Sequence, residues 1–279
     1  MEERAMGRVL VVAGSDSGGG AGIQADVKTI TVLGGYAATA VTALTAQNTL
    51  GVSGVVKVPP DFVMQQMEVV LRDIGADAVK TGMLVDAETI RAVARAYERW
   101  ARGAALIVDP VMVAKGGQLL LDPSAQGTLL DRLLPLASLV TPNVSEARAL
   151  TGLSIESPSD LERAADRLLS MGLEAVLVKG GHLASEIVVD LLRTADGDEV
   201  RLEAPRIDTR HTHGTGCTLA SAIATGVAEG LRLSDAVRRA HAYVQRAIAT
   251  APGFGKGHGP LNHAVHLEET SEARGRSLH

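Results

Sequence analysis

The sequence predicts an α/β protein built on one largely parallel β-sheet with helices on both faces. Three observations carry that expectation. Short apolar runs alternate along the chain with segments whose apolar residues recur at helical spacing. The run Val9–Ala13 passes into its helix through the glycine-rich loop Gly14–Gly22, the layout that lets backbone approach a ligand closely at the edge of an open α/β sheet. No linker or change of composition divides the 279 residues, so one domain accounts for them.

Taken in order, Val9–Ala13 reads as a buried strand, and Gly14–Gly22 as a glycine-rich loop opening a helix marked by Ile23, Val27 and Ile30. Residues Ala37–Gln47 and Val52–Val58 read as β segments joined by a turn at Asn48–Gly51. Val63, Met67, Val70, Leu71 and Ile74 share a helical face, and Gly75 ends that helix. A strand at Ala76–Lys80 leads into Thr81-Gly82-Met83, and Asp86 is placed to cap a helix with Ile90, Val93, Ala94 and Tyr97 inward. Ala104–Val108 is a buried strand ending at Asp109-Pro110-Val111-Met112.

Further on, Leu129–Leu134 reads as helical and Leu139–Thr141 as strand, the latter running into Pro142-Asn143-Val144-Ser145-Glu146. Ser159 and Glu162 have the spacing of a capping box before Leu161, Ala165, Leu168 and Leu169. Ala175–Lys179 is a strand ending in Gly180-Gly181-His182, and Ile187–Arg193 with Glu199–Glu203 reads as a hairpin around Asp196-Gly197. Gly214 opens a helix carrying Leu219, Ile223 and Val227. Ser234 is placed to cap another with Val237, Ala240, Val244 and Ala247 inward. A glycine-rich loop spans Gly253–Gly259, and residues 263–279 read as a polar tail outside a domain of residues 1–262.

The totals narrow the function. A net charge of -5 supplies no field for a nucleic-acid backbone, and 2% aromatic residues leave little to stack bases on. Neither a signal-peptide pattern nor a bilayer-length apolar run is present. One cysteine excludes an internal disulfide and suits a reducing compartment, so a cytoplasmic protein without nucleic-acid or membrane partners is the expectation.

The polar residues of interest fall at strand ends. Asp109 closes one strand, Asn143 and Glu146 follow another, Lys179 closes a third, and Gly214-Thr215-Gly216-Cys217 opens a helix. In a parallel sheet such ends share one edge, where ligands bind. The turn and helix start offer backbone N–H groups and a positive dipole end suited to phosphate. The same field favours a thiolate at Cys217. Carboxylates for a hard cation, a lysine and an anion hole together suit phosphoryl transfer. Singly, each residue has a structural explanation: Asp109 as a turn former, Asn143 and Glu146 as a helix cap, Lys179 as a solvated charge.

The ordered motifs then become recognisable. They are Gly-Ser-Asp-x-x-Gly-Gly-Ala-Gly-Ile-Gln-Ala-Asp (14–26), Thr-Ala-Leu-Thr-Ala-Gln-Asn-Thr (42–49), Lys-Thr-Gly-Met-Leu (80–84), Asp-Pro-Val-Met (109–112), Thr-Pro-Asn-x-x-Glu-Ala (141–147), Lys-Gly-Gly-His (179–182) and His-Gly-Thr-Gly-Cys-Thr-Leu-Ala (213–220). The chain resembles the ribokinase-like small-molecule kinases, and within them the hydroxymethylpyrimidine/phosphomethylpyrimidine kinases of thiamine biosynthesis. The resemblance implies a three-layer α/β/α fold with a small lid region, ATP as donor, Mg²⁺ as cofactor and a pyrimidine as acceptor; a homodimer is the expectation for the fold. It implies that Asn143 and Lys179 meet the nucleotide with Gly216, and that Asp109 and Glu146 place Mg²⁺. Cys217 stands where most ribokinase-like sugar kinases carry the aspartate base, and Gly214, Thr215 and Gly216 form the anion hole beside it. Gln47 matches the glutamine that reads the aminopyrimidine edge, with Gly14, Asp26, Met83 and Val111 at the other pocket positions. Ser17-Gly18 depart from the Pro-Ser often found in the first loop.

Two other functions stay open on the sequence. A pyridoxal kinase shares the Gly-Thr-Gly-Cys turn, although Gln47 argues for the pyrimidine. A non-catalytic pyrimidine sensor would keep the pocket, although Asp109, Glu146, Lys179 and Cys217 argue for catalysis.

Overall fold

A computed structural model describes residues 6–114 and 116–265. Nine strands form one sheet in the order β3-β2-β1-β4-β5-β6-β7-β8-β9. They are β1 (Arg8–Asp16), β2 (Tyr36–Asn48), β3 (Gly51–Lys57), β4 (Ala78–Thr81), β5 (Ala105–Val108), β6 (Leu139–Val140), β7 (Ala175–Lys179), β8 (Ile187–Thr194) and β9 (Glu199–Pro205). The strands from β2 to β7 run parallel, while β3 at one end and β8–β9 at the other are antiparallel. This is the three-layer ribokinase-like arrangement that the motifs imply.

Alternation along the strands divides the interior into two cores. Leu10, Val12, Val79, Leu106, Val108 and Val176 face one side, packing with α2 (Pro60–Asp73), α3 (Ala87–Trp100), α5 (Val144–Thr151) and α6 (Pro158–Leu169). Val9, Val11, Ile107, Leu139 and Leu177 face the other, with α1 (Gly22–Val32), α7 (Thr215–Ala228) and α8 (Leu233–Ala249). The central residues of α7, Thr218 to Gly226, are buried on every side. A Cβ on Gly226 would sit 2.9 Å from that of Ala236, which is why α7 and α8 approach so closely there.

β1 lies between β2 and β4, so the chain leaves it in opposite directions on its two sides. Such a reversal opens a crevice at the carboxyl ends of the strands. The loop after β1, the β2–β3 hairpin and the start of α7 all meet at that edge.

Several local expectations are corrected. The helix expected at Leu129–Leu134 is a composite: α4 (Gln126–Thr128), a π turn over Leu129–Leu133 and a 3₁₀ turn over Leu134–Leu136. Pro135, with no N–H to donate, stands where a continuous α-helix would need one. The capping box at Ser159 and Glu162 gives way to Ser157 and Asp160, because Pro158 takes the first helical position; the Asp160 carboxylate accepts the Ser157 N–H at 2.9 Å. Arg232 rather than Ser234 precedes α8. Asp86 caps α3 as expected, accepting the Thr89 N–H at 2.9 Å. The expected polar tail begins too early at His263: that residue and Val265 are buried, His263 Nε2 lies 3.0 Å from Thr218 Oγ1, and the Tyr243 hydroxyl donates to the His263 carbonyl at 2.7 Å. The rest of that segment lies outside the described residues.

One buried ion pair ties the layers together. Lys80 on β4 donates to Asp26 Oδ1 on α1 at 2.8 Å, and Ser221 on α7 donates to the same oxygen at 2.6 Å. Both charged side chains are fully buried. Burial alone would drive Lys80 toward neutrality, but Asp26 and then Cys217 and Asp109 hold its pKa above the ordinary value. Lys80→Met leaves a buried carboxylate without its cation and should cost about 3–5 kcal/mol in urea unfolding. The double variant Lys80→Met/Asp26→Leu should recover most of that loss. Equal losses in the two would show that the charge pairing is not what matters.

Candidate active site

One large cavity of about 1520 Å³ lies along the carboxyl edge of the sheet. Its walls come from elements far apart in the chain, and most of the sequence-predicted residues stand on them. Gly14, Gln47, Met83 and Val111 line one part; Asp109, Asn143, Glu146, Lys179 and Gly214–Cys217 line another. Asp26 does not. Its carboxylate lies beneath the floor with Lys80 and Ser221, so its sequence-stated place among the pocket contacts is corrected to that of a support. The reason is its position: Asp26 sits a turn into α1, on the face turned to the sheet.

Two glycine loops form the centre. Gly214, with φ of 86°, precedes α7, and a Cβ there would lie 1.8 Å from the Gly20 carbonyl oxygen. Only glycine permits that approach. The first α-helical bond of α7 runs from Thr218 N to Gly214 O at 2.9 Å, so the N–H groups of Gly216 and Cys217 precede the helical ladder and face the cavity end. Gly216 is less confined: a Cβ would lie 3.2 Å from Lys179 Nζ and 3.5 Å from Asp109 Oδ2, so it would crowd the charged side chains rather than the backbone.

Asp16, the last residue of β1, binds the two loops together. Its carboxylate accepts N–H groups from Gly18, Gly20 and Ala21 at 2.8, 3.0 and 2.8 Å. Its Oδ2 also lies 2.8 Å from His213 Nε2. Burial pushes the Asp16 carboxyl upward, but His213 and the backbone donors outweigh it and hold the pKa below the ordinary value. Gln47 sits at a bulge in the β2–β3 ladder, which turns its side chain toward the cavity. Its amide lies between Thr45 Oγ1 at 3.1 Å and His213 Nε2 at 3.3 Å.

On the other side, Lys179 Nζ donates to Asp109 Oδ1 at 2.9 Å, and Thr141 donates to the same oxygen at 3.1 Å. Burial works against the charge on Lys179, yet Asp109 and Glu146 raise its pKa, so it is a cation at neutral pH. Asn143 and Glu146 do form a reciprocal cap on α5: Asn143 N–H donates to Glu146 Oε2 at 2.8 Å and Glu146 N–H to Asn143 Oδ1 at 3.0 Å. The cap is therefore part of the cavity wall. Burial, with a contribution from Asp109, pushes Glu146 up to about 7 against the pull of Lys179.

Cys217 overturns an expectation. The helix start favours a thiolate, but burial, reinforced by Asp26 and Asp109, pushes the thiol up to about 11 against the opposing pull of Lys80. Burial with the two carboxylates outweighs Lys80 and the helix end, and the resting group is a thiol.

Three residues at the site went unassigned in the sequence. Asp16 and His213 lie inside motifs yet carry no role there, and their pairing across the chain has no sequence signal. His241, on α8, lines the cavity with a buried Nε2 that has no hydrogen-bond partner; nothing in a helical pattern marks it.

A sequence model described as phosphomethylpyrimidine kinase matches residues 16–262. The chain belongs to that family. It is 53% identical over 267 residues to the thiamine biosynthesis bifunctional protein ThiED of Geobacter sulfurreducens, covering 95% of this chain and 54% of that longer one. It is 50% identical to the hydroxymethylpyrimidine/phosphomethylpyrimidine kinase of Rhizobium meliloti, over 91% of this chain and 96% of the relative. Among solved structures, the pyridoxal kinase of Staphylococcus aureus in complex with AMP-PCP superposes with a TM-score of 0.87 at 36% identity, covering 95% and 96% of the two chains.

The state of Cys217 can be read by alkylation. With iodoacetamide, the rate should be low at pH 7 and climb through pH 9 without a plateau, since the reactive thiolate is scarce below the pKa. A plateau reached by pH 8 would mean that the helix field prevails.

Proposed function

We propose that this protein transfers the terminal phosphoryl group of ATP to the hydroxymethyl oxygen of 4-amino-5-hydroxymethyl-2-methylpyrimidine, and then phosphorylates the monophosphate to the diphosphate, in thiamine biosynthesis. The observation that carries the reading is a single cavity with two differently built halves: Gln47, Gly14, Met83 and Val111 on one, Lys179, Asn143 and the Gly214–Cys217 turn on the other. Family membership, with about half the residues identical to a hydroxymethylpyrimidine/phosphomethylpyrimidine kinase, supports it.

The chain's own groups act mainly by position and charge, as phosphoryl transfer requires. The N–H groups at the start of α7 receive the charge that builds on the transferring phosphoryl oxygens. Lys179 supplies a fixed cation beside them, held by Asp109. Asn143 and Gly216 complete the nucleotide side. Asp109 and Glu146 fit a Mg²⁺ ion of the kind that borrows most of its ligands from phosphate and water: both are hard oxygen donors on the same wall of the cavity. When bound, the ion would neutralise phosphate charge. Among the described residues no group of three or more His, Cys, Asp or Glu side chains forms a cage of its own.

At neutral pH Cys217 rests as a thiol, so only its scarce thiolate form, strongly basic because its pKa is high, can take the proton of the acceptor hydroxyl as the phosphoryl group arrives. The anion hole supplies most of the acceleration. Gln47 reads the aminopyrimidine edge, because an amide both donates and accepts. A homodimer would cover the apolar side chains Leu44, Val55 and Val56 exposed on β2 and β3. No helix among the described residues is long and apolar enough to cross a membrane; the lone cysteine fits our placement of the enzyme in the cytoplasm.

Incubation with Mg·ATP and either the aminopyrimidine or pyridoxal, followed by mass, tests the reading. Mono- and then diphosphorylated pyrimidine should accumulate, with little pyridoxal phosphate; pyridoxal phosphate alone would replace the acceptor, and no product at all would leave a sensor. Cys217→Ala should lower kcat by about a hundredfold with KM little changed. Unchanged turnover would remove Cys217 from the reaction. Gln47→Met should abolish the preference for the aminopyrimidine, and a retained preference would mean that recognition lies elsewhere.

A further inference from the structure

The amide of Gln47 has two ends of nearly equal shape, so its hydrogen-bond partners decide which end is which. The structure sets Oε1 toward Thr45 and Nε2 toward His213. Counting hydrogens reverses that choice. The Thr45 hydroxyl has one hydrogen, and it points at the Ser15 carbonyl oxygen 2.8 Å away, which can only accept. Toward Gln47, Thr45 therefore offers a lone pair. His213 Nε2 lies 2.8 Å from the Asp16 carboxylate, which also can only accept. That nitrogen must carry its one hydrogen, bonded first to Asp16, so toward Gln47 it presents the side of an N–H and no lone pair. With Oε1 against Thr45 and Nε2 against His213, Gln47 would face lone pair with lone pair and hydrogen with hydrogen. Turning the amide over removes both conflicts: Nε2 donates to the Thr45 lone pair, and Oε1 takes the place beside the N–H that His213 shares with Asp16.

We propose that His213, held by Asp16, locks the Gln47 amide with its oxygen toward His213 and its nitrogen toward Thr45, and so makes the site selective for an amino group beside a ring nitrogen. The proposal rests on the reading that Gln47 meets the acceptor ring. One lone pair on Oε1 and one hydrogen on Nε2 remain for that ring. A freely turning amide would read two edges equally well: amino beside ring nitrogen, or carbonyl beside ring N–H. A locked one reads only the first.

Competition between the aminopyrimidine and the same ring with a carbonyl in place of the amino group tests the lock, read as the ratio of kcat/KM for the two acceptors. His213→Leu should shrink the wild-type ratio by about tenfold or more, because the amide is freed to turn. His213→Gln keeps an N–H donor and should restore part of it. If His213→Leu lowers both acceptors by the same factor, His213 supports the loops without setting polarity, and the proposal fails. Gln47→Met separates the two levels of the argument. A ratio lost in Gln47→Met but kept in His213→Leu overturns the lock alone; a ratio kept in both overturns the reading of Gln47 as well. Long-range ¹H–¹⁵N correlation on the unmutated protein gives a check independent of folding of the variants: the proton on His213 should sit on Nε2, and a proton found only on Nδ1 would overturn the proposal.

Discussion

The Asp16 carboxylate is the interaction on which the cavity depends. Three backbone N–H groups of the first glycine loop and the ring of His213 converge on its two oxygens. Charge-assisted bonds of this kind are the strong ones, and here they stand in for the side-chain packing that a run of glycines cannot provide. By holding His213, the same group draws in the second loop, whose Gly214 rests against the Gly20 carbonyl. Two loops nearly two hundred residues apart in sequence thus become one surface. Backbone N–H groups point out of it because its side chains have been reduced to hydrogens.

The site is arranged as alternating charge on rigid supports. Asp26 and Lys80 lie beneath the floor, Asp109 and Lys179 at its surface, and Cys217 near both pairs. Burial, helped by the carboxylates close to the sulfur, keeps it protonated, while the same carboxylates keep the lysines charged. That division matches the work required of a kinase. Phosphate needs permanent positive charge and oriented N–H groups, and a loose transition state makes small demands on a base. In the proposed reaction, a thiol rather than a carboxylate at Cys217 also adds no further negative charge where phosphate would bind.

Much of the site is legible in the sequence because its residues are tied to strand ends. Asp109 after β5, Asn143 after β6 and Lys179 at the end of β7 are brought together by parallel topology alone, whatever the details of packing. Gly214 and Gly216 are legible for a local reason, since a turn entering a helix with close backbone approach admits little else. Asn143 and Glu146 show that a structural and a functional explanation can hold together: they cap α5 and line the cavity. Asp26 shows the opposite case, in which a motif position near the pocket proves to be a buried support.

Composition, apolar runs and motif order by themselves determined the α/β class, the strand sequence through β9, the cavity edge and most residues on its two walls. These are properties of local periodicity and of chain direction, which a one-dimensional pattern carries. Only the tertiary structure decided the protonation of Cys217, the burial of Asp26, the partnership of Asp16 with His213 and the surroundings of Gln47. Each of those depends on desolvation or on a contact between residues remote in sequence, and neither leaves a mark on spacing.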